Sequence, residues 1–200
     1  TYNDLPAHKV QVSSLGVPAN NTEAKAICDN FADATTDAYV VHVGEGIDTT
    51  SKNEFTTLQA RGVPGDPTGG PGCLISPKTT IVHGTALGAP EFTIMAQANM
   101  GLVWSPKSNV FLYNATTNIP AAITAGVDII ALAPDWALGG SVNLLDELAF
   151  AASYDDANWN DALTSQRLVE MVTIDAARAL HVGQHIGSLA VGKRADIDVV

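Results

Sequence analysis

Short apolar runs alternate with amphipathic stretches along most of this chain. "KVQVSS" (9–14) reads as a strand, and in the following "NNTEAKAICDNFAD" Ala24, Ile27, Cys28 and Phe31 recur at helical spacing behind Asn and Thr capping candidates. "YVVHV" (39–43) is a second strand. It is followed by "SKNEFTTLQARG", where Ser51 and Glu54 have the spacing of a capping box and Gly62 is a natural terminator. "TTIVHG" then "APEFTIMAQANMG", with Pro90 in a first turn and Gly101 at its end, repeats the unit. "LVWSPKSN" predicts a fourth strand running into a polar turn before helical "NIPAAITAG". "VDIIALAPDWALGGS" predicts a fifth strand ending in aspartate, before the helix "SVNLLDELAFAASY". Two further helices, "TSQRLVEMVTI" and "DAARALHVG", lead to "IGSLAVGKRADIDVV", whose last residues are β-like again.

Strand followed by helix, five times over, predicts an α/β protein with a parallel sheet and its helices outside. Two architectures fit: an open doubly wound sheet, or the carboxyl-terminal part of a (β/α)8 barrel, which needs eight units in about 250 residues. The insert "VPGDPTGGPGC" matches neither phosphate-binding glycine pattern and is expected to be a flexible surface loop.

Composition narrows the partners. Ten basic against 21 acidic side chains give a net charge of -11, with no basic cluster to neutralise a row of phosphates, so nucleic acid is not an expected partner. No apolar run approaches the roughly 20 residues that span a bilayer, so no membrane partner is expected either. The opening "TYNDLPAHKV" lacks the pattern of a secretory signal. Cys28 and Cys73 make no CxxC and no zinc-like spacing. Both read as reduced thiols, consistent with a cytoplasmic protein.

The chemistry concentrates where strands end. His42 with Glu45, His83, and Asp135 stand at or just past the carboxyl ends of three predicted strands. In a parallel sheet those ends share one side, where active sites of this class are built. Neutral imidazoles and a carboxylate suit a divalent metal such as zinc, which lowers the pKa of its bound water to about 7 and supplies hydroxide at neutral pH. A neighbouring carboxylate can carry the proton to the leaving group.

Together "VVHVGEG", "IVHGTAL", "GLVWSPKSNVFLY", "ALAPDW" with "GGSVNLLDEL", and "AARAL…IGSLAVGKRADIDVV" resemble the amidohydrolase superfamily, its chlorohydrolase and cytosine-deaminase-like branch above all. The resemblance runs from about residue 38 onward. It implies a partial (β/α)8 barrel, about its fourth to eighth strands, over residues 1–185, and the start of a returning β-sandwich strand over 186–200. By the same resemblance His42 is a metal ligand and Glu45 shuttles a proton between water and substrate. His83 orients the water or touches substrate, and Asp135 both ligates metal and accepts the water proton. The metal implied is zinc, with iron as the alternative. The expected reaction is hydrolytic deamination of a small cyclic amidine or amide, with dehalogenation as the alternative.

The sequence departs from the family in lacking its first-strand His-x-His pair, since no His-x-His occurs here. The chain is therefore read as a fragment lacking part of the family's ligand set, with loss of the metal as the alternative to zinc or iron. A rival reading follows, in which it is non-catalytic and only assembles with itself or with the missing half, and a homo-oligomer is expected. "APDW" replaces the family's glycine and threonine before the aspartate, which is tolerable where no ladder donor is needed.

Trp104 and Trp136, each beside a strand end, are candidates to stack on a planar substrate. Lys9 could at most be a metal-bridging lysine, whereas His8, His181 and His185 lack metal-ligand spacing. Ser105, Lys107 and Ser108 form no evident nucleophilic triad. Asn109 and Ser141 are expected to fix loops through backbone hydrogen bonds.

Overall fold

The computed structural model describes residues 9–13, 16–61 and 72–194. The strands are β1 (Val10–Ser13), β2 (Ala38–Val43), β3 (Thr79–His83), β4 (Gly101–Trp104) and β5 (Ile129–Leu132). They form one sheet in the order β1-β2-β3-β4-β5, every pair parallel. A doubly wound sheet reverses its strand order at a switch point, and this one never does. The sequential order is that of a (β/α)8 barrel segment, which removes the open-sheet alternative.

Helices α1 (Asn21–Ala32), α2 (Thr49–Ala60) and α3 (Ala89–Gln97) follow the first three strands. α4 (Pro106–Tyr113) and α5 (Ile119–Thr124) follow β4, and α6 (Leu144–Asn158), α7 (Ser165–Val172) and α8 (Ile174–Ala179) follow β5. Among the described residues no helix is long and apolar enough to cross a membrane. Register places Val41, Ile81, Leu102 and Ile130 side by side across β2 to β5, all fully buried. They share a core with Ile27, Phe55, Leu58, Phe92, Met95 and Met171 from the helices. One residue further along, the row His42, Val82, Val103 and Ala131 points the other way, because successive side chains of a strand alternate between faces. Its first three members are half-buried.

Several local readings change. The predicted capping box at Ser51 and Glu54 does not form. α2 starts two residues earlier, with Asp48 accepting from the Ser51 N–H, and the Glu54 carboxylate instead accepts from Gly44 N at 2.7 Å. Gly101 opens β4 rather than closing α3. A side chain there would strike Thr80 Oγ1 at 2.5 Å, so the close approach of β3 and β4 requires glycine. The "PKSN" segment, predicted as a polar turn, is the first half of α4, with Pro106 in the first turn, where its missing N–H costs nothing. The glycine-rich 62–71 segment and Gly62, His8, and the β-like 195–200 tail lie outside the described residues. Among 186–194 there is no strand.

Cys28 and Cys73 are joined in a disulfide, with Cα atoms 5.8 Å apart. The reduced-thiol reading is therefore corrected, and the argument for a reducing compartment that rested on it loses its support. A separation of 45 residues hid the pair in the sequence, since only the packing of α1 against the segment after α2 brings the two together.

Glu147 of α6 is fully buried, and its Oε1 accepts the Lys107 N–H of α4 at 3.0 Å. Burial pushes its carboxyl pKa up. The folded protein then holds this proton to higher pH than the unfolded chain does, so the contribution to stability falls as pH rises above the ordinary carboxylate range. Glu147→Gln keeps an acceptor for Lys107 without a charge to bury. The variant is expected to lose less stability than the native chain between pH 5 and 8, read as urea midpoints, and parallel pH profiles would contradict this.

Candidate active site

The loop after β2 is "GEG". Gly44 (φ +71°) and Gly46 (φ +147°) adopt conformations open to glycine, and a side chain at Gly46 would collide with Ser51 Oγ at 2.2 Å. This tight turn throws Glu45 toward the next strand. At the end of β3, His83 itself has φ +72°, an unusual conformation for a side-chain-bearing residue. Two contacts hold it there: Thr117 Oγ1 donates to its carbonyl at 2.5 Å, and Asn109 Nδ2 lies 3.0 Å from its Nδ1. Strain of this kind persists only where the surroundings over-determine it.

Glu45, His83 and Asp135 converge, each offering a ligand atom within 4.8 Å of the others'. Glu45 Oε2 stands 3.6 Å from His83 Nε2. His42 lies beside them, its ring centroid 5.1 Å from that of His83, and its Nδ1 is buried with no hydrogen-bond partner among the described residues. All four lie at the carboxyl ends of the strands, but the group whose ligand atoms come within 4.8 Å of one another holds Glu45, His83 and Asp135 and not His42. Their exposure is graded: His83 is buried, His42 and Glu45 are half-buried, and Asp135, three residues beyond β5, faces solvent. Burial pushes the His83 pKa down, against the pull of Glu45 and Asp135 and with a smaller push from His42. At neutral pH His83 is therefore the uncharged imidazole.

The sequence reading missed two residues of this site. Tyr113 donates to Glu45 Oε1 at 3.1 Å, and Asn109 reaches the ring of His83 rather than a loop backbone. They are four apart on α4 and so share one helical face, a spacing visible in "SNVFLY" once that segment is known to be helical. Burial and the adjacent carboxylate raise the Tyr113 pKa to about 12, which keeps it a donor at neutral pH.

The remaining candidates fall elsewhere. Trp104 is fully buried, its indole N–H donating to Thr116, and is not brought to the site surface. Trp136 is 39% exposed and packs edge-on against Phe111, 6.5 Å between centroids, beside Asp135. Lys9 precedes β1 at the opposite end of the strands. His181 contacts the Pro77 carbonyl through Nε2 at 2.9 Å. Ser105 and Ser108 are buried at the start of α4, where Ser108 Oγ donates to the Ser105 carbonyl. Lys107 pairs with Asp146 at 2.7 Å, and the Ser141 hydroxyl makes no loop bond among the described residues.

Fold and site together define a barrel-type α/β protein with imidazole and carboxylate groups gathered at its strand ends. Residues 17–200 match the amidohydrolase family, and the chain belongs to it. It is 30% identical over 128 residues to an S-triazine hydrolase of Gordonia rubripertincta, covering 63% of this chain and 27% of that protein. It is 28% identical over 129 residues to a 5-methylthioadenosine/S-adenosylhomocysteine deaminase of Syntrophobacter fumaroxidans, covering 64% and 30%. Its fold superposes with a TM-score of 0.77 on an adenosine deaminase from Xanthomonas campestris solved with bound zinc, at 22% identity over 98% of this chain and 44% of that one. The chain spans under a third of the length of these curated relatives.

Proposed function

We propose that the protein is a metal-dependent hydrolase that removes an amino group from a small cyclic amidine or amide. The observation that carries this reading is the convergence of Glu45, His83 and Asp135 within 4.8 Å at the strand ends. The donor set fits a divalent metal, because an imidazole and two carboxylates offer ligand atoms within 4.8 Å of one another, and the neighbouring His42 ring has a buried nitrogen without a partner among the described residues. His42 and Asp135 would hold the ion, zinc in the first instance and iron in the second. When bound, such an ion lowers the pKa of water enough to make hydroxide available near neutral pH. Asp135 accepts a proton of the attacking water, and Glu45 delivers a proton to the leaving nitrogen. A C–O bond forms, the C–N bond breaks, and ammonia departs. Uncharged His83 orients the water or the substrate, and Trp136 borders the ring.

Two observations favour rivals. Similarity to an S-triazine hydrolase brings a triazine ring among the candidate substrates, and from a chlorinated ring the group lost is chloride instead of ammonia. His42 and Asp135 alone are also fewer than the three protein ligands usual in catalytic zinc sites, which supports a chain that is inactive by itself. Incubating the zinc-loaded chain with aminopurines, aminopyrimidines and a chloro-s-triazine separates the readings. Ammonia release that Glu45→Gln abolishes supports deamination. Chloride release alone moves the assignment to dehalogenation, and metal binding without either product supports the non-catalytic reading.

We also propose self-association. Among the described residues β1 has a strand partner on one side only, and Val10 and Val12 are 40% and 59% exposed. An apolar open edge of this kind invites pairing. Sedimentation at micromolar concentration is expected to show species larger than the monomer, and a compact monomer would count against it.

A further inference from the structure

A line of hydrogen bonds runs from the core to the site: Trp104 Nε1 to Thr116 Oγ1 at 2.7 Å, Thr116 Oγ1 to Asn109 Oδ1 at 3.4 Å, and Asn109 Nδ2 to His83 Nδ1 at 3.0 Å. Three of its four members can turn either way, since a hydroxyl, an amide and a neutral imidazole each both donate and accept. The indole cannot. Its N–H only donates, and Trp104 is fully buried, so it has no water to turn to. The indole N–H takes one lone pair of the Thr116 oxygen, and the hydroxyl proton is directed at the Asn109 carbonyl. The Asn109 amide group then faces His83 and donates to Nδ1, which leaves the ring proton on Nε2.

We infer that Trp104 is a positioning residue that fixes the tautomer of His83 through Thr116 and Asn109, so that His83 presents an N–H to the reaction site. This deepens the proposed function and rests on it for the role of His83, because it makes that side chain a donor toward substrate or water rather than a base. It also decides between possible metal ligands. With Nδ1 occupied by Asn109 and Nε2 carrying the proton, His83 has no free lone pair, and ligation falls to His42 and Asp135. The second anchor of α4 fits the same design. Glu147 Oε1 accepts from Lys107 N, seating the helix that carries Asn109.

Glu45 also faces Nε2, at 3.6 Å, and could favour the same tautomer unaided. The test therefore uses Glu45→Gln as the background. Nitrogen-15 spectra of histidine-labelled chain, in chelator and at a pH where His83 is neutral, distinguish the two tautomers by their two-bond couplings. The Nε2–H form is expected in the native chain and in Glu45→Gln. Adding Trp104→Phe should replace that single form by a mixture or by Nδ1–H. Trp104→Phe opens space in the core, so Thr116→Val, which interrupts the line at nearly constant volume, is measured alongside and should give the same loss. The inference fails if the native chain shows Nδ1–H, if Glu45→Gln alone loses the Nε2–H form, or if Thr116→Val leaves it intact. None of these readings needs metal or turnover, so failure here is distinct from failure of the proposed activity.

Discussion

Asp135→Asn is expected to weaken binding of zinc or cobalt on the order of 100-fold, equivalent to about 2.7 kcal/mol, with the fold unchanged. Asp135 is exposed and three residues past the end of β5, so its carboxylate supports no packing. It does stand within 4.8 Å of the ligand atoms of Glu45 and His83, where an amide would keep the shape and lose the charge. His42→Ala should produce a comparable loss, because its buried Nδ1 has no other partner among the described residues. A second acidic group, Asp155, Asp156 and Asp161, provides the control. Asp155 there accepts the Ala162 and Leu163 N–H groups and so already serves the backbone. Calorimetric titration of the native chain, Asp135→Asn, His42→Ala and Asp161→Asn decides the matter. Equal affinities for all four, or a loss confined to Asp161→Asn, would refute the assignment of the metal site.

Reducing the Cys28–Cys73 bond is expected to lower stability by roughly 4 kcal/mol, the cost in unfolded-chain entropy of opening a loop of this length. The span of 45 residues includes β2 and α2, and with them His42 and Glu45. The bond therefore constrains the unfolded segment that must return two site residues to place. Urea unfolding of the oxidised chain, the reduced chain and a Cys28→Ser/Cys73→Ser double variant measures the effect. Serine at the buried Cys28 position adds a small penalty of its own, so the reduced native chain is the cleaner comparison. Coincident urea midpoints for oxidised and reduced protein would show that the bond contributes nothing.

The alternation of apolar runs with amphipathic stretches, the capping candidates and the strand-end histidines are local properties, and these were legible in the order of residues. Backbone hydrogen bonding and the burial of an apolar face act within one segment and its flanks. His42 one residue before the end of β2, His83 ending β3 and Asp135 following β5 needed no knowledge of neighbours. Parallel pairing then carried those ends to one side of the sheet, which is why the residues proposed for the site lie near one another. Even so, a local signal misleads when something distant competes for it. Ser51 and Glu54 have capping-box spacing, but the Gly44 N–H takes the Glu54 carboxylate, and Asp48 caps the helix instead.

Only the tertiary structure decided the rest, because those features depend on residues far apart meeting in space. The strand order that separates a barrel from a doubly wound sheet is a relation among elements, and strand and helix patterns are the same in both. Cys28 and Cys73 are two unremarkable thiols until α1 packs beside the chain leaving α2. Trp104 follows the same rule. At a strand end it could as well have faced a substrate. The side of β4 on which it falls buries it, and its one polar atom then has no water and must donate to Thr116. A buried donor that cannot reverse must find its acceptor inside the protein, and which group supplies it is decided by the assembled core rather than by any stretch of the chain.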